Sequence, residues 1–189
     1  MASELRCRFG EALYTDKEEV TLEGAVVELL KERGLAVTTV ESCTGGALSA
    51  RIVDVPGASD VLKQGFVTYS NKAKRKLVKV KKSTLKEQGA VSRKCAKEMA
   101  EGGAAAAGAD VALSVTGFAG PEGGTDQYPV GTVFIGCTFK GKTRVKECHF
   151  NGDRSSVREQ VVVNALVLLR QCILEESPAD IRKTSSSSE

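Results

Sequence analysis

Along this chain, segments with helical spacing of apolar residues alternate with short β-branched runs. Apolar side chains recur at every third or fourth position through residues 18–33, which predicts an amphipathic helix that ends at Gly34. Residues 35–40 form an uninterrupted apolar and threonine run, typical of a buried strand. Residues 47–53 return to helical spacing and stop before Pro56.

The remaining two thirds of the chain continue this pattern and end with a hairpin and a long helix. Ser92 and Asp153 each stand where a helix N-cap is expected, and Lys140-Gly141 separates two alternating segments as a hairpin turn does. The pattern predicts strands at 65–69 and 110–116, paired strands at 130–138 and 142–150, helices at 71–77, 83–88 and 93–107, and a last helix with an apolar stripe of Val157, Val161, Val162, Ala165, Leu168, Leu169 and Cys172.

This order of elements predicts the fold class. Helices and strands that alternate give parallel strands covered by helices, whereas a late hairpin adds antiparallel ones. We therefore expect a three-layer α/β/α sandwich with a mixed β-sheet, in one domain over residues 17–176. Residues 1–16 are interpreted as an N-terminal extension, and residues 177–189, with their serine run, as a flexible tail.

Charge is unevenly distributed, although the net value is only +3. Residues 61–86 contain nine basic residues and no acidic one. Such a block attracts phosphate esters, nucleic acid or a membrane surface, but it also fits a solvated helix surface, and we favour the solvated surface for most of these lysines.

The cysteine and histidine content argues against a metal site. The six cysteines include no C-x-x-C pair, and His149 is the single histidine, so we predict neither a metal nor another cofactor. No apolar run is long enough for a secretory signal or a membrane span. Free thiols fit a reducing, cytoplasmic compartment, with an organelle address left open.

One motif matches a nucleotide-binding pattern but stands in the wrong context. Residues 136–143, GCTFKGKT, fit the P-loop pattern G-x-x-x-x-G-K-[ST]. A P-loop must open a helix, whose first N–H groups bind the phosphates. Here both flanks alternate like strands, so we place Gly141-Lys142-Thr143 at a hairpin tip and reject a P-loop ATPase.

The segment that carries chemistry is Glu41-Ser42-Cys43-Thr44-Gly45-Gly46, between the first strand and the next helix. Ligands bind at the carboxyl ends of strands in α/β sheets, and helix N-termini offer unpaired N–H donors. The Ser42 hydroxyl could attack a carbonyl while backbone amides hold the oxyanion. Taken alone, the segment favours the simpler interpretation that Ser42 and Thr44 merely cap the helix.

Three further segments favour chemistry over capping. Tyr69 follows another strand, and Lys74 lies five residues later, where burial or the neighbouring cations could lower its pKa. Residues 115–125 form a second strand followed by a glycine-rich loop able to wrap a ligand. Arg154 starts the last helix, and arginine suits bidentate recognition of phosphate.

Seven short motifs occur in an order that resembles the CinA C-terminal domain, the nicotinamide mononucleotide deamidase family. They are ESCTGG, VPG, VTYSN-x-x-K, GAVS, VTG-x-AGP-x-GGT, PVGTV and GDR, spread between Thr38 and Cys172. The resemblance implies a metal-free amidohydrolase with a serine and a lysine, which converts nicotinamide mononucleotide and water to nicotinate mononucleotide and ammonia. It also implies a homodimer.

The resemblance implies roles for individual residues. Ser42 would be the nucleophile and Lys74 its base, while Tyr69 and Thr116 would position or polarise the reacting groups. Arg154 would complete the catalytic or phosphate-binding set. Our own candidates for the oxyanion and for substrate contacts are Thr44, Gly45 and Gly46, with Asn71, Gly117 and Gly120 at the pocket edge.

The chain departs from the family pattern in two respects. Tyr128 stands where the family commonly has lysine, which weakens any phosphate contact there. The domain that precedes this one in longer relatives has no counterpart, so we expect none of its activity.

An alternative interpretation is a non-catalytic protein that binds a mononucleotide or serves as a scaffold through the same pocket. Nucleic-acid binding rests only on the basic block, and with Phe66 and Tyr69 as its sole aromatic residues a base-stacking surface is not expected. We therefore predict a small-molecule mononucleotide as the ligand, with no nucleic acid and no membrane as partner.

Overall fold

The computed structural model describes residues 14–15 and 19–175. Its centre is a five-stranded mixed sheet in the order β2-β1-β3-β4-β5, with helices on both faces, so the predicted sandwich is confirmed. The predicted extension and tail lie almost entirely outside the described residues. The strands are β1 (Val37–Glu41), β2 (Leu62–Val67), β3 (Val111–Gly117), β4 (Thr132–Phe139) and β5 (Lys142–His149).

Strand direction reverses twice across the sheet, at β4 and again at β5. β1 pairs in parallel with both β2 and β3, and β4 is antiparallel to β3 and β5. The carboxyl ends of the three parallel strands therefore meet at one edge, where ligands bind in sheets of this kind. Glu41, Val67 and Gly117 end these strands.

Most helices follow the boundaries that caps and periodicity predict, although the first begins at Leu22, four residues after its predicted start. Ser92 and Asp153 are N-caps as predicted, and the side chains of Thr21 and Ser70 cap two more helices. The helices are α1 (Leu22–Glu32), α2 (Ala47–Val53), α3 (Asn71–Val78), α4 (Lys82–Glu87), α5 (Arg93–Ala107) and α6 (Arg154–Leu174), with a 3₁₀ turn over Ala58–Asp60. Within the described residues, no helix is long and apolar enough to cross a bilayer.

Each face of the sheet has its own hydrophobic core. The larger core lies under α1, α2 and α6, and the smaller one under α3, α4 and α5. The predicted stripe of α6 is buried except for the half-buried Cys172, and Leu166 and Ile173 are buried as well.

The predicted hairpin is confirmed, and with it the rejection of the P-loop. Lys140 (φ 49°) and Gly141 (φ 73°) connect β4 to β5 with both residues in the left-handed region, as a two-residue hairpin of the twisted type requires. Lys142 and Thr143 begin a strand, so no helix N-terminus is present to hold a phosphate.

The prediction for β2 is the least accurate of the strands. We expected residues 65–69, but the strand runs from Leu62 to Val67. β2 is an edge strand, and its residues Lys63, Gln64 and Gly65 are all exposed. Burial therefore hardly alternates along it, and the apolar residues that we used to predict the strand begin only after its true start.

Candidate active site

The turn between β1 and α2 is held by a buried carboxylate. Gly45 (φ 61°) and Gly46 (φ 104°) take the left-handed conformation that turns the chain into α2. The side chain of Glu41, fully buried, accepts hydrogen bonds from the amides of Gly46 (2.9 Å), Leu48 (3.0 Å) and Ser49 (2.8 Å). Its charge complements the helix N-terminus, whose first amides point toward it.

This arrangement excludes the capping alternative for the two hydroxyl residues. The N-cap residue of α2 is Gly46, which has no side chain to accept a hydrogen bond from the first helix amides. Glu41 satisfies the helix amides instead, from five residues before the cap. Ser42 and Thr44 are therefore not the helix caps.

The structure brings Ser42 and Lys74 into direct contact. The Lys74 Nζ donates to the Ser42 Oγ at 2.9 Å and to the carbonyl oxygen of Thr68 at 2.7 Å. Lys74 comes from α3, and only 1% of its surface is exposed, whereas Ser42 remains partly accessible. A hydroxyl and an amine within hydrogen-bond reach are what general-base activation of a nucleophile requires.

Burial lowers the pKa of Lys74 below its ordinary value of 10.5. The neighbouring lysines that we expected to contribute are not among the causes of this shift, and interaction with Cys95 and Cys43 opposes it. Because a neutral amine has a free lone pair, this environment favours the form of Lys74 that can accept a proton.

A backbone connection links the serine strand to the lysine. The carbonyl oxygen of Glu41 accepts from the Thr68 amide at 2.7 Å and from the Thr68 hydroxyl at 3.3 Å. Thr68 in turn offers its own carbonyl to Lys74. The relative position of Ser42 and Lys74 is therefore fixed by the pairing of β1 with the end of β2.

Arg154 joins three segments at the same edge of the sheet. Its guanidinium donates to the hydroxyl of Tyr69 at 3.1 Å and to the carbonyl oxygen of Gly120 at 2.9 Å. Burial raises the pKa of Cys43 to about 11, and the charges of Lys74 and Arg154 both oppose that shift. The Cys43 thiol, directly after Ser42, therefore stays protonated.

Among the backbone amides of the turn, two are already engaged. The Gly45 amide donates to the Ser42 carbonyl at 3.1 Å and the Gly46 amide to Glu41 at 2.9 Å. Within the described residues, the amides of Cys43 and Thr44 donate to no other residue, although the Cys43 amide faces its own thiol. Of the backbone amides predicted to bind the oxyanion, only that of Thr44 therefore remains a candidate, and the Cys43 amide becomes a second one.

Thr44 has an unsatisfied hydroxyl in a buried position. Its Oγ1 has no hydrogen-bond partner among the described residues, while its carbonyl accepts from Arg158 at 2.7 Å. Buried hydroxyls are normally paired, so this one is available to a ligand or a water molecule.

The other predicted residues lie nearby but have structural roles of their own. The Thr116 hydroxyl donates to the Ala90 carbonyl at 2.7 Å and, within the described residues, makes no hydrogen bond to Ser42 or Lys74. A Cβ at Gly117 would meet the Thr132 carbonyl at 2.6 Å, so packing against β4 requires glycine there. Asn71 is the exposed first residue of α3.

Most of the basic block is solvated surface, as favoured. Lys74 is buried, and the other basic residues of α3 and α4 are exposed.

Tyr128, which replaces the lysine expected from the family pattern, packs its ring edge-on against Phe134 at 5.3 Å between centroids. Tyr128 therefore packs against the sheet, at the position where the family pattern has a lysine that could contact a phosphate.

Comparison with known proteins identifies the family of this chain. The sequence profile described as the CinA C-terminal domain matches residues 19–173. The chain belongs to the CinA C-terminal domain family. A putative competence-damage inducible protein of Clostridium novyi (strain NT) is 48% identical over 92% of this chain and 42% of its own length. A CinA-like protein of Dictyoglomus turgidum is 47% identical over the same shares of the two chains.

Solved structures of this family share the fold. A CinA superfamily protein of Klebsiella pneumoniae superposes with a TM-score of 0.80 at 38% identity, covering 82% of this chain and 97% of that one. A competence/damage inducible protein of Agrobacterium tumefaciens gives 0.78 at 37% identity, covering 81% and 93%. The chain spans about two fifths of the length of the curated relatives it matches.

Sequence reasoning missed Glu41 and Thr68 as site residues. A carboxylate at the end of a buried strand, followed by two glycines and a helix, was a usable signal for Glu41, since a buried charge needs several donors. Nothing in the sequence marked the carbonyl of Thr68.

Proposed function

We propose that this CinA-family chain hydrolyses the carboxamide of nicotinamide mononucleotide to nicotinate mononucleotide and ammonia. The observation that carries the proposal is the contact of 2.9 Å between the Ser42 Oγ and the buried Lys74 Nζ. A protein that only binds a ligand has no use for an amine with a lowered pKa against a hydroxyl, whereas acyl transfer needs both.

In the proposed reaction, the neutral Lys74 amine accepts the Ser42 proton as the oxygen attacks the carboxamide carbon. The Thr68 carbonyl keeps one N–H of the amine in place, which leaves its lone pair for the serine. Lys74 then returns the proton to the departing nitrogen, and ammonia leaves. Water hydrolyses the resulting ester by the same proton transfers, which releases the carboxylic acid and restores Ser42.

Negative charge develops on the carbonyl oxygen during the attack, and two backbone amides are suited to bind it. The amides of Cys43 and Thr44 directly follow Ser42 along the chain, and within the described residues neither donates to another residue. Donors that are already oriented toward the developing charge contribute a large part of such catalysis. No metal is required for this step.

The charge of the mononucleotide phosphate calls for a cation close to the pocket. Arg154 is exposed enough to bind an anion and is oriented by Tyr69 and Gly120. We assign it the phosphate, with Tyr69 as its positioning partner and Asn71 at the edge of the pocket. The names of the relatives refer to competence and damage, so the choice of substrate rests on the motif resemblance.

The first test is release of ammonia from nicotinamide mononucleotide by the purified chain. We expect turnover near neutral pH, and a loss of several powers of ten in kcat for Ser42→Ala. Ser59→Ala, which removes an exposed hydroxyl outside this turn, should keep the wild-type rate. Full activity of the folded Ser42→Ala variant would contradict the assigned nucleophile.

A second pair of variants separates an enzyme from a binder. Lys74→Met should abolish turnover while calorimetry still detects nicotinamide mononucleotide, because the lysine acts on the serine. Lys72→Met, two residues away and exposed on the same helix, should leave the rate unchanged. Stoichiometric binding without turnover by the wild-type chain would instead favour the binding protein.

A further inference from the structure

A second reactive site lies at the opposite end of α6 from Arg154. Cys172 is in the last turn of this helix, eighteen residues after Arg154, which is about 27 Å along the axis at ~1.5 Å per residue. Cys137, on β4, faces the same helix and belongs to the same core. The proposed hydrolase makes no use of either thiol.

The surrounding contacts bring the two cysteines together. Cys137 is paired with Arg144 across the hairpin, and Arg144 Nη1 donates to Glu175 at 2.9 Å, directly after α6. Cys137, Arg144, Cys172 and Glu175 all line one open cavity of about 290 Å³. A small solute can therefore reach the place where the two side chains meet.

The two thiols differ in their protonation. Interaction with Cys137 lowers the pKa of Cys172 against the effect of burial, and the positive charge of Arg144 acts in the same direction. The same interaction, together with burial, raises the pKa of Cys137. Cys172 is half-buried, so the thiol that ionises more readily is also the more accessible one.

We propose that Cys172 and Cys137 form a peroxide-reactive dithiol that closes to an intramolecular disulfide. The Cys172 thiolate attacks one oxygen of a hydroperoxide, the O–O bond breaks, and an alcohol or water leaves with a proton from solvent. The sulfenic acid formed on Cys172 is then attacked by the Cys137 sulfur. An S–S bond forms, water leaves with the Cys137 proton, and the two thiols have lost the two electrons that the peroxide gained.

The other described cysteines have environments that protect them. Burial raises the pKa of Cys43 and of Cys95 to about 11, and also raises the pKa of Cys148. Each therefore remains a neutral thiol, which is a poor nucleophile. The proposal thus predicts selectivity for one pair among the five cysteines that the structure describes.

The test uses the reduced full-length chain and hydrogen peroxide, followed by alkylation in denaturant and peptide mass mapping. We expect a linked peptide that joins Cys137 to Cys172 and lacks two hydrogens, while Cys43, Cys95 and Cys148 are alkylated. Oxidation of Cys172 with Cys137 still free would overturn the proposal, as would equal oxidation of the three protected cysteines.

Variants test the order of the two steps. In Cys137→Ser, Cys172 should stop at the sulfenic acid and be captured by dimedone, and in Cys172→Ser, Cys137 should stay reduced. Cys148→Ser, a matched change on β5, should still form the linked peptide. A dimedone adduct on Cys137 rather than Cys172 would contradict the assignment, and the mapping of the unaltered chain is independent of how well any variant folds.

Discussion

At the scale of single residues, the site depends on one amine that is kept out of water. Lys74 is held between the Ser42 hydroxyl and the Thr68 carbonyl, and both contacts are compatible with a neutral amine. The lowered pKa is a consequence of this burial, so it should be visible in the pH dependence of catalysis.

We predict that kcat/KM for nicotinamide mononucleotide rises with pH through the lowered pKa of Lys74 and levels off before 10.5, its ordinary value. Below that pKa the amine is protonated and cannot accept the serine proton. Lys74→Arg, which stays charged, should lower the rate by about 10²- to 10⁴-fold. The rise of kcat/KM with pH should disappear in the same variant. Ammonia release measured across pH checks the wild-type profile and its loss in the variant. The same rise with pH in Lys74→Arg would refute the assignment of Lys74 as the base.

Glu41 provides a second prediction at this scale. Glu41→Gln replaces a carboxylate oxygen with an amide NH₂ that faces N–H donors, at a cost of about 1.5–3 kcal/mol for hydrogen bonds to a charged group. We expect a lower Tm and a lower kcat with little change in KM, because the turn that carries Ser42 loosens.

Glu28→Gln, at an exposed position on α1, is the matched control and should alter neither quantity. Thermal unfolding and steady-state kinetics measure the two effects. A Glu41→Gln protein with the wild-type kcat would mean that the turn holds its shape without the carboxylate.

The sequence identified the residue types at the site better than their contacts. Ser42 and Lys74 were predicted through the resemblance of their motifs, because no periodicity brings positions that are 32 residues apart together. Glu41 was overlooked since its function depends on the path of the helix it faces. The occupied amides of Gly45 and Gly46 likewise depend on that local geometry.

At the scale of elements, local signals placed most helices well and the edge strand poorly. The helix over residues 93–107 matches the prediction at both ends, because a serine cap and a glycine stop flank it. For β2, by contrast, exposure on an edge removes the alternation on which the prediction depends. The close approach of α5 to its neighbours was also not predictable.

That close approach leads to a prediction for α5. A Cβ at Gly102 would lie 1.8 Å from the carbonyl oxygen of Val78, the last residue of α3. Gly102→Ala should therefore destabilise the fold by about 1–3 kcal/mol through overpacking, against the usual gain in helix propensity. It should also lower activity, since α3 carries Lys74.

Urea unfolding followed by circular dichroism measures this effect. Ala105→Gly, exposed on the same helix, should cost only about 0.5–1 kcal/mol and leave the rate unchanged. A Gly102→Ala protein more stable than wild type would mean that the two helices can separate without loss.

At the scale of the whole molecule, the edge of the sheet at β2 is open and partly apolar. Val67, Tyr69 and Leu77 are among the large hydrophobic residues that stay exposed, at 50%, 62% and 41% of their surface. Exposed edge strands with apolar neighbours are covered by a partner in many proteins. This fits the homodimer that the resemblance implies.

We predict that light scattering of the purified chain gives twice the 20.0 kDa of one copy. Val67→Lys should shift the mass toward the monomer, because it places a charge on this edge. Val53→Lys, at a residue that is 62% exposed on α2, should leave the mass unchanged. A monomeric wild-type chain at high concentration would contradict the prediction.

The pairing of Glu41 with Thr68 has a consequence for how such a molecule loses activity. The Thr68 carbonyl that anchors the lysine directly follows β2, an edge strand, so we expect thermal fraying there to separate base from nucleophile before the two cores unpack. Inactivation is then a local event that precedes denaturation. Whatever covers that margin, a bound substrate or a second copy, would preserve catalysis without adding to the chemistry.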